Sequence, residues 1–271
     1  MNDHIIPQNW AAFTRQDHAT WDTLFARQSA LLPGRAATPF LAGLDTLKLS
    51  KPGIPDFAEL SDRLHALTGW SVVAVPGLIP DDVFFTHLAN RRFPAGNFIR
   101  RPDQLDYLEE PDVFHDVFGH VPLLGHPVFA DYMQAYGAGG LRSLHLGALH
   151  KLSRLYWYTV EFGLINEDGN LRISGAGIVS SAAESHFALE SDSPNRIGFD
   201  LARILQTNYR IDDYQQSYFV IDSYEQLLRT TLDTDFGPLY AALETQPDHA
   251  PEALLQSDHI ITRGTQSHVS G

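Results

Sequence analysis

A mainly α fold with a few short β-strands, in one domain, is what the sequence predicts, and three observations predict it. Apolar residues recur at three- and four-residue spacing in most segments between Pro and Gly breaks. Strand-like runs are brief, as at Ser71-Val72-Val73-Ala74-Val75 and Tyr218-Phe219-Val220-Ile221-Asp222. The 271 residues are 44% hydrophobic and 19% charged, which suits a sizeable single core.

Taken in order, residues 1–16 read as an extended arm. Asp17 to Leu31 is helical, with Trp21, Leu24 and Phe25 on one face, and Pro33-Gly34 ends it. A second helix covers about 38–48, closed by Lys51-Pro52-Gly53. Asp56 to Leu67 carries Phe57, Leu60, Leu64 and Leu67 at helical spacing, with Gly69 as its C-terminal cap. The 71–75 run is a strand closed by Pro76-Gly77, and Pro80 opens a helix to about Ala89. Phe93 to Arg101 is extended. His126 to Tyr136 is helical by its Phe129, Tyr132, Met133 and Tyr136 stripe, and Ala138-Gly139-Gly140 breaks it. The next helix, about 143–164, is apolar nearly all round and is expected to be central. Asn166 to Asn170 is a turn and Leu171–Ile173 a short strand. Helices follow from Ser181 to about Leu189 and from Pro194 to Asn208. The 218–222 strand leads to a helix over about 223–231, and Leu239 to Leu243 is a last short helix. The expected organisation is an N-terminal arm with helices (1–49) and a core (50–245) forming one compact domain, then a loosely held polar tail (246–271).

Net charge is −14, and an acidic surface repels phosphate backbones, which argues against nucleic-acid binding. The absence of cysteine excludes disulfides, thiolate catalysis, zinc-finger sites and Fe–S clusters. Met1 to Trp10 has no basic or apolar signal region, and no apolar run approaches a membrane span. A cytoplasmic protein with no membrane partner is expected.

Chemistry concentrates at Pro111-Asp112-Val113-Phe114-His115-Asp116-Val117-Phe118-Gly119-His120. Two imidazoles among bulky apolar residues suggest a dry metal pocket. Residues five apart lie roughly 140° apart on a regular α-helix. One ion can join them only if the helix ends or bulges between them, and Gly119 and Pro122 offer that break. The expectation is a helix over about 111–118 with His120 just beyond it. A bare pair at this spacing is weak evidence, because His145 and His150 repeat it and read as surface residues. Glu161, in the apolar 143–164 helix, is costly unless paired, protonated or bound to a metal. Two histidines and a carboxylate suit a non-haem Fe(II) oxygenase, and also a catalytic zinc hydrolase. The ligands alone leave both open.

Wider motifs carry a resemblance. Phe98-Ile99-Arg100, Tyr107, Glu110-Pro111-Asp112, His115-Asp116, Gly119-His120-Val121-Pro122, Tyr156 through Leu164, Gly175-Ala176-Gly177 and Ser180-Ser181 together resemble the pterin-dependent aromatic amino acid hydroxylases over about residues 50–235. The likeness is strongest to short bacterial members that act on phenylalanine. It implies a basket-like helical fold and one Fe(II) on His115, His120 and Glu161. It implies that one atom of O2 enters the ring of L-phenylalanine to give L-tyrosine, while tetrahydrobiopterin gives two electrons and takes the other. By the same resemblance Arg100 grips the substrate carboxylate and Asp112 orients Arg100. Trp157, Ser180 and Ser181 are substrate-side residues, and Ser180 also partners His115. Gly77, Ile79 and Phe84 hold the pterin; Asp116 stands where animal enzymes have a glutamate that reaches the pterin through water. Tyr107, Pro111, Tyr156 and Glu184 line the pocket. Ile211 occupies a position where tyrosine hydroxylases carry aspartate, which favours phenylalanine. No tetramerisation helix matches, so a monomer is expected.

Two other readings compete. A zinc hydrolase would want a general base as in H-E-x-x-H, but Asp116 follows His115 and the histidine spacing differs. A non-catalytic protein of the same fold is expected to lose a ligand, and all three are present.

Overall fold

A computed structural model describes residues 3–106 and 110–268, so Tyr107 lies outside the described residues. Helix α1 (Arg15–Leu31) starts at a reciprocal cap between Thr14 and Asp17. It is followed by α2 (Thr38–Thr46) and by α3 (Phe57–Thr68), which Asp56 caps. Strand β1 (Ser71–Val75) pairs in parallel with β2 (Arg92–Gly96), and α4 (Asp81–Ala89) crosses between them. This unit agrees with the sequence as far as Gly96; beyond it the chain to Arg101 is loop.

The histidine stretch departs from expectation. Residues Phe114–His120 form a π-helix, here π1, which runs directly into α5 (Val121–Leu124). The helix therefore does not stop at 118, and His120 belongs to it. Bonding widened to i→i+5 brings residues five apart onto one face, so the spacing that is wrong for an α-helix is right for this one. Its other face is aromatic. Phe114 and Phe118 stack at 4.7 Å, with Trp21 at 5.3 Å from Phe114 and Phe25 at 5.6 Å from Phe118. These residues anchor π1 on α1 in the core.

Helix α6 (Pro127–His145) passes through Ala138-Gly139-Gly140 without a break. Gly137 and Gly140 serve contact with α4: a Cβ on Gly137 would meet the Ala89 nitrogen at 2.4 Å, and one on Gly140 the Phe85 ring at 2.0 Å. The break comes instead at Gly147, with φ +68°. The single helix expected over 143–164 is thus the end of α6, then α7 (Leu149–Tyr156), then a second π-helical turn, π2 (Trp157–Glu161). Glu161 stands at the end of π2 rather than mid-helix.

Strand β3 (Leu164–Glu167) turns at Asp168-Gly169 into β4 (Asn170–Ile173). Both turn residues have positive φ, so the segment read only as a turn is a hairpin that recruits residues before it. Short α8 (Ala176–Val179) and α9 (Ala182–Glu190) follow. The helix expected over 194–208 is β5 (Asn195–Gly198) and the short α10 (Leu201–Leu205), because β5 is drawn into the sheet beside β6 (Ser217–Ile221). Helices α11 (Tyr224–Asp233) and α12 (Phe236–Glu244) agree with the sequence. The sheet order is β4-β3-β6-β5-β7, with its three central strands parallel. Strand β7 (Ile260–Thr262) comes from the polar stretch expected to hang loose. That stretch is fastened instead: Asp258 pairs with Arg203, both side chains under 5% exposed, and Gly264 donates to Asn195. Composition missed this because its few anchoring contacts are single residues. Among the described residues no helix is long and apolar enough to cross a membrane.

Candidate metal centre and adjoining pocket

π1 and π2 approach one another across α8, and each carries part of one cluster. The Nε2 atoms of His115 and His120 stand 3.2 Å apart. Glu161 Oε1 lies 3.2 Å from His120 Nε2, and Oε2 lies 3.5 Å from His115 Nε2. Ligand atoms about 2.1 Å from one ion are about 3.0 Å apart at right angles and about 3.4 Å apart at tetrahedral angles. The triangle therefore fits a single ion, and its edges alone do not choose between iron and zinc. Among the described residues these three form the group of His, Asp and Glu able to hold a metal. His145 and His150, at the same spacing but on either side of the Gly147 break, are exposed and apart from it.

The imidazoles are fixed by their surroundings. His115 Nδ1 lies 3.1 Å from Ser180 Oγ, and that hydroxyl donates its one proton to the Ala176 carbonyl at 2.7 Å. Nδ1–H must then donate to Ser180, which leaves the Nε2 lone pair facing the cluster. His120 has the Phe93 ring at 5.0 Å and the Tyr156 ring at 6.1 Å. Ser181 caps α9 by accepting from the Glu184 nitrogen, so the two adjacent serines have separate tasks.

Charge in the site follows burial first. Burial pushes His115 down to about 4, against the pull of the Glu161 carboxylate. Burial also opposes a charge on His120, but Glu161 and Asp116 outweigh it and raise that imidazole above its ordinary range. Glu161 is desolvated too, yet the two imidazoles hold its carboxyl low. Burial raises Asp116 to about 7, although its Oδ2 accepts from the Gly96 nitrogen at 2.8 Å. An anionic carboxylate beside two imidazoles, walled by aromatic rings, is suited to a divalent cation.

The cluster forms the floor of a cavity of about 230 Å³. Gly77, Ile79, Phe84, Pro111, Asp116 and Tyr156 line it with the three ligands, as do Leu78, Phe93 and Gly96. Phe93 and Gly96 were missed in the sequence, where a strand signal hides which face meets a pocket. Phe84 meets Tyr156 edge-on at 6.1 Å.

Arg100, Asp112, Trp157, Ser180, Ser181 and Glu184 are not in that lining. Arg100 and Asp112 form a buried fork, with Nε to Oδ2 and Nη2 to Oδ1 both at 2.9 Å. Asp112 also accepts from the His115 nitrogen at 3.0 Å, so one carboxylate ties Arg100 to π1. Opposing effects act on it: burial raises the Asp112 carboxyl, and the Arg100 guanidinium with the backbone donors brings it below the usual range. Trp157 opens π2 and stacks on Tyr209 at 4.3 Å. Glu184 accepts the Tyr218 hydroxyl, and burial raises its carboxyl to about 7.

A family described as biopterin-dependent aromatic amino acid hydroxylase matches residues 3–234. The chain is 60% identical over 268 residues to a phenylalanine-4-hydroxylase of Caulobacter vibrioides, covering 99% of this chain and 91% of that one. It is 61% identical over 264 residues to one of Ralstonia nicotianae, covering 97% and 84%. Two solved structures of Chromobacterium violaceum phenylalanine hydroxylase are each 57% identical over 96% of this chain. One, with bound oxidized Fe(III), superposes with a TM-score of 0.93 over 94% of its own chain. The other, with iron(III) and 7,8-dihydrobiopterin, gives 0.92 over 93%.

Proposed function

Because the chain belongs to the biopterin-dependent aromatic amino acid hydroxylases, we propose that it hydroxylates L-phenylalanine to L-tyrosine with O2 and tetrahydrobiopterin at a single Fe(II). The observation that carries this reading is the triangle of His115, His120 and Glu161 at the floor of the cavity lined by Gly77, Ile79 and Phe84. In this reading those three residues would hold the iron.

Bound there, iron and the reduced pterin would together supply the activation of O2 and the two electrons that ring hydroxylation needs. The protein's own part is placement. Phe84 offers its face to a planar pterin, and Gly77 with Ile79 offers backbone beside it. Asp116, held by the Gly96 nitrogen, orients the pterin through water. Arg100 takes the substrate carboxylate. Its Nε/Nη2 edge is occupied by Asp112, so the remaining Nη1/Nη2 edge is the one that meets substrate. Trp157 walls the substrate side, and aromatic residues around His120 keep bulk water from the ligands. A cytoplasmic, monomeric enzyme belongs to the same reading, and light scattering at the mass of one chain checks the second point.

Purified protein loaded with Fe(II) and given tetrahydrobiopterin, phenylalanine and ¹⁸O2 should yield tyrosine carrying one labelled oxygen, one per pterin consumed. Zinc-loaded protein should yield none. Absence of tyrosine from the iron-loaded protein overturns the reading.

A further inference from the structure

Gln215 lies between α10 and β6, 3% exposed, and no sequence motif marks it. The Trp157 Nε1–H can only donate, so it meets Gln215 Oε1, at 2.8 Å. The carbonyls of Arg210 and Asp213 can only accept, so they face Gln215 Nε2, at 3.0 and 3.4 Å. The amide orientation is thereby forced. One buried side chain joins the polar edge of the Trp157 indole to both ends of the turn that carries Ile211, a residue 74% exposed. The indole face packs on rings, Tyr209 at 4.3 Å and Phe162 at 4.6 Å. From below, the Glu184 carboxyl takes the Gln215 backbone N–H together with the Tyr218 hydroxyl.

We infer that Gln215 is a positioning residue for the aromatic amino acid substrate, acting through Trp157 and the 210–213 turn rather than by contact. The inference rests on the proposed function, in which Trp157 walls the substrate side. Rings packed on rings can slide, whereas an edge hydrogen bond cannot slide without breaking. Gln215 converts a stacked indole into a wall of one orientation, and it fixes that wall relative to the turn bearing Ile211.

The test compares Gln215→Leu, Gln215→Glu, Trp157→Phe and the double variant Trp157→Phe/Gln215→Leu as iron-loaded full chains. Gln215→Leu is expected to raise the phenylalanine KM about tenfold, with kcat within about twofold, the pterin KM unchanged and iron content full. The Trp157 emission, taken as the difference from Trp157→Phe, should shift as the indole loses its acceptor. Gln215→Glu keeps that acceptor but faces two carbonyls with a carboxylate, so its emission stays near wild type while KM rises less. In the Trp157→Phe background the Leu substitution should raise KM no further than about twofold. An unchanged KM in Gln215→Leu overturns the inference, as does the same tenfold cost in both backgrounds. If Gln215→Leu fails to fold, the Gln215→Glu arm decides alone, and a wild-type KM there overturns it. Failure of wild type to make tyrosine defeats the proposed function and this inference with it. Tyrosine formation with an unchanged variant KM defeats the inference only.

Discussion

Ser180 decides which nitrogen of His115 is available. Its single proton is committed to Ala176, so the imidazole must donate, and the other nitrogen keeps its lone pair. Ser180→Ala should leave the fold intact and weaken Fe(II) or Co(II) binding by about 10–100-fold, read by metal titration. Glu161→Ala removes the one anionic donor and should abolish turnover as well; normal hydroxylation by that variant would remove Glu161 from the centre. Glu184 offers a pH test at the same scale. A carboxyl that keeps its proton longer in the folded protein than in the unfolded chain stabilises the fold below about 4.5, and that contribution drains away as pH climbs through about 7. Glu184→Gln should therefore match wild type near pH 4, gain on it between pH 4.5 and 7, and hold a constant advantage above. Thermal melts across that range check the sign; at this chain length each kcal/mol moves Tm by roughly 2–4 °C.

Elements differ in how far they were legible. Periodicity found α1 by Trp21 and Leu24 and α3 by Phe57, Leu60 and Leu64, all of which are buried, and Pro80 marked the start of α4. It could not find π1 or π2. No residue type marks a π-helical turn, so His115/His120 and His145/His150 look alike in sequence although one pair converges and the other is exposed. Motif likeness singled out the pair that the structure brings together with Glu161, where spacing could not. Glycine was misread for a related reason: in α6 it signals close approach, not a break. Gly137→Ala should force α6 off α4 and cost about 1–3 kcal/mol in denaturant unfolding. Since α4 carries Phe84, the pterin KM should rise while iron content holds; a rise in the phenylalanine KM instead would place Phe84 on the wrong side.

Across the whole molecule, the parts drawn from distant sequence were the least legible. Strand β5 and the C-terminal stretch look unremarkable alone and acquire structure only by pairing with β6 and with each other. The Arg203–Asp258 pair closes that union in a nearly dry setting. Asp258→Ala would strand the guanidinium beside Thr207 and the Ala253 carbonyl, and should cost about 3–5 kcal/mol in urea unfolding. A cost below about 1 kcal/mol would show that residues beyond 246 are as dispensable as their composition suggests.

Both donor-bearing turns are wound one residue wider than their neighbours, and that has a consequence for how such an enzyme can vary. Adding or dropping a single residue swings everything downstream by about 100°. Exchange of one side chain for another leaves that phase alone. Inherited or engineered diversity around this centre must therefore come by replacement, because the count of residues from Asp112 to Pro122, and from Leu155 to Gly163, is itself part of the catalyst.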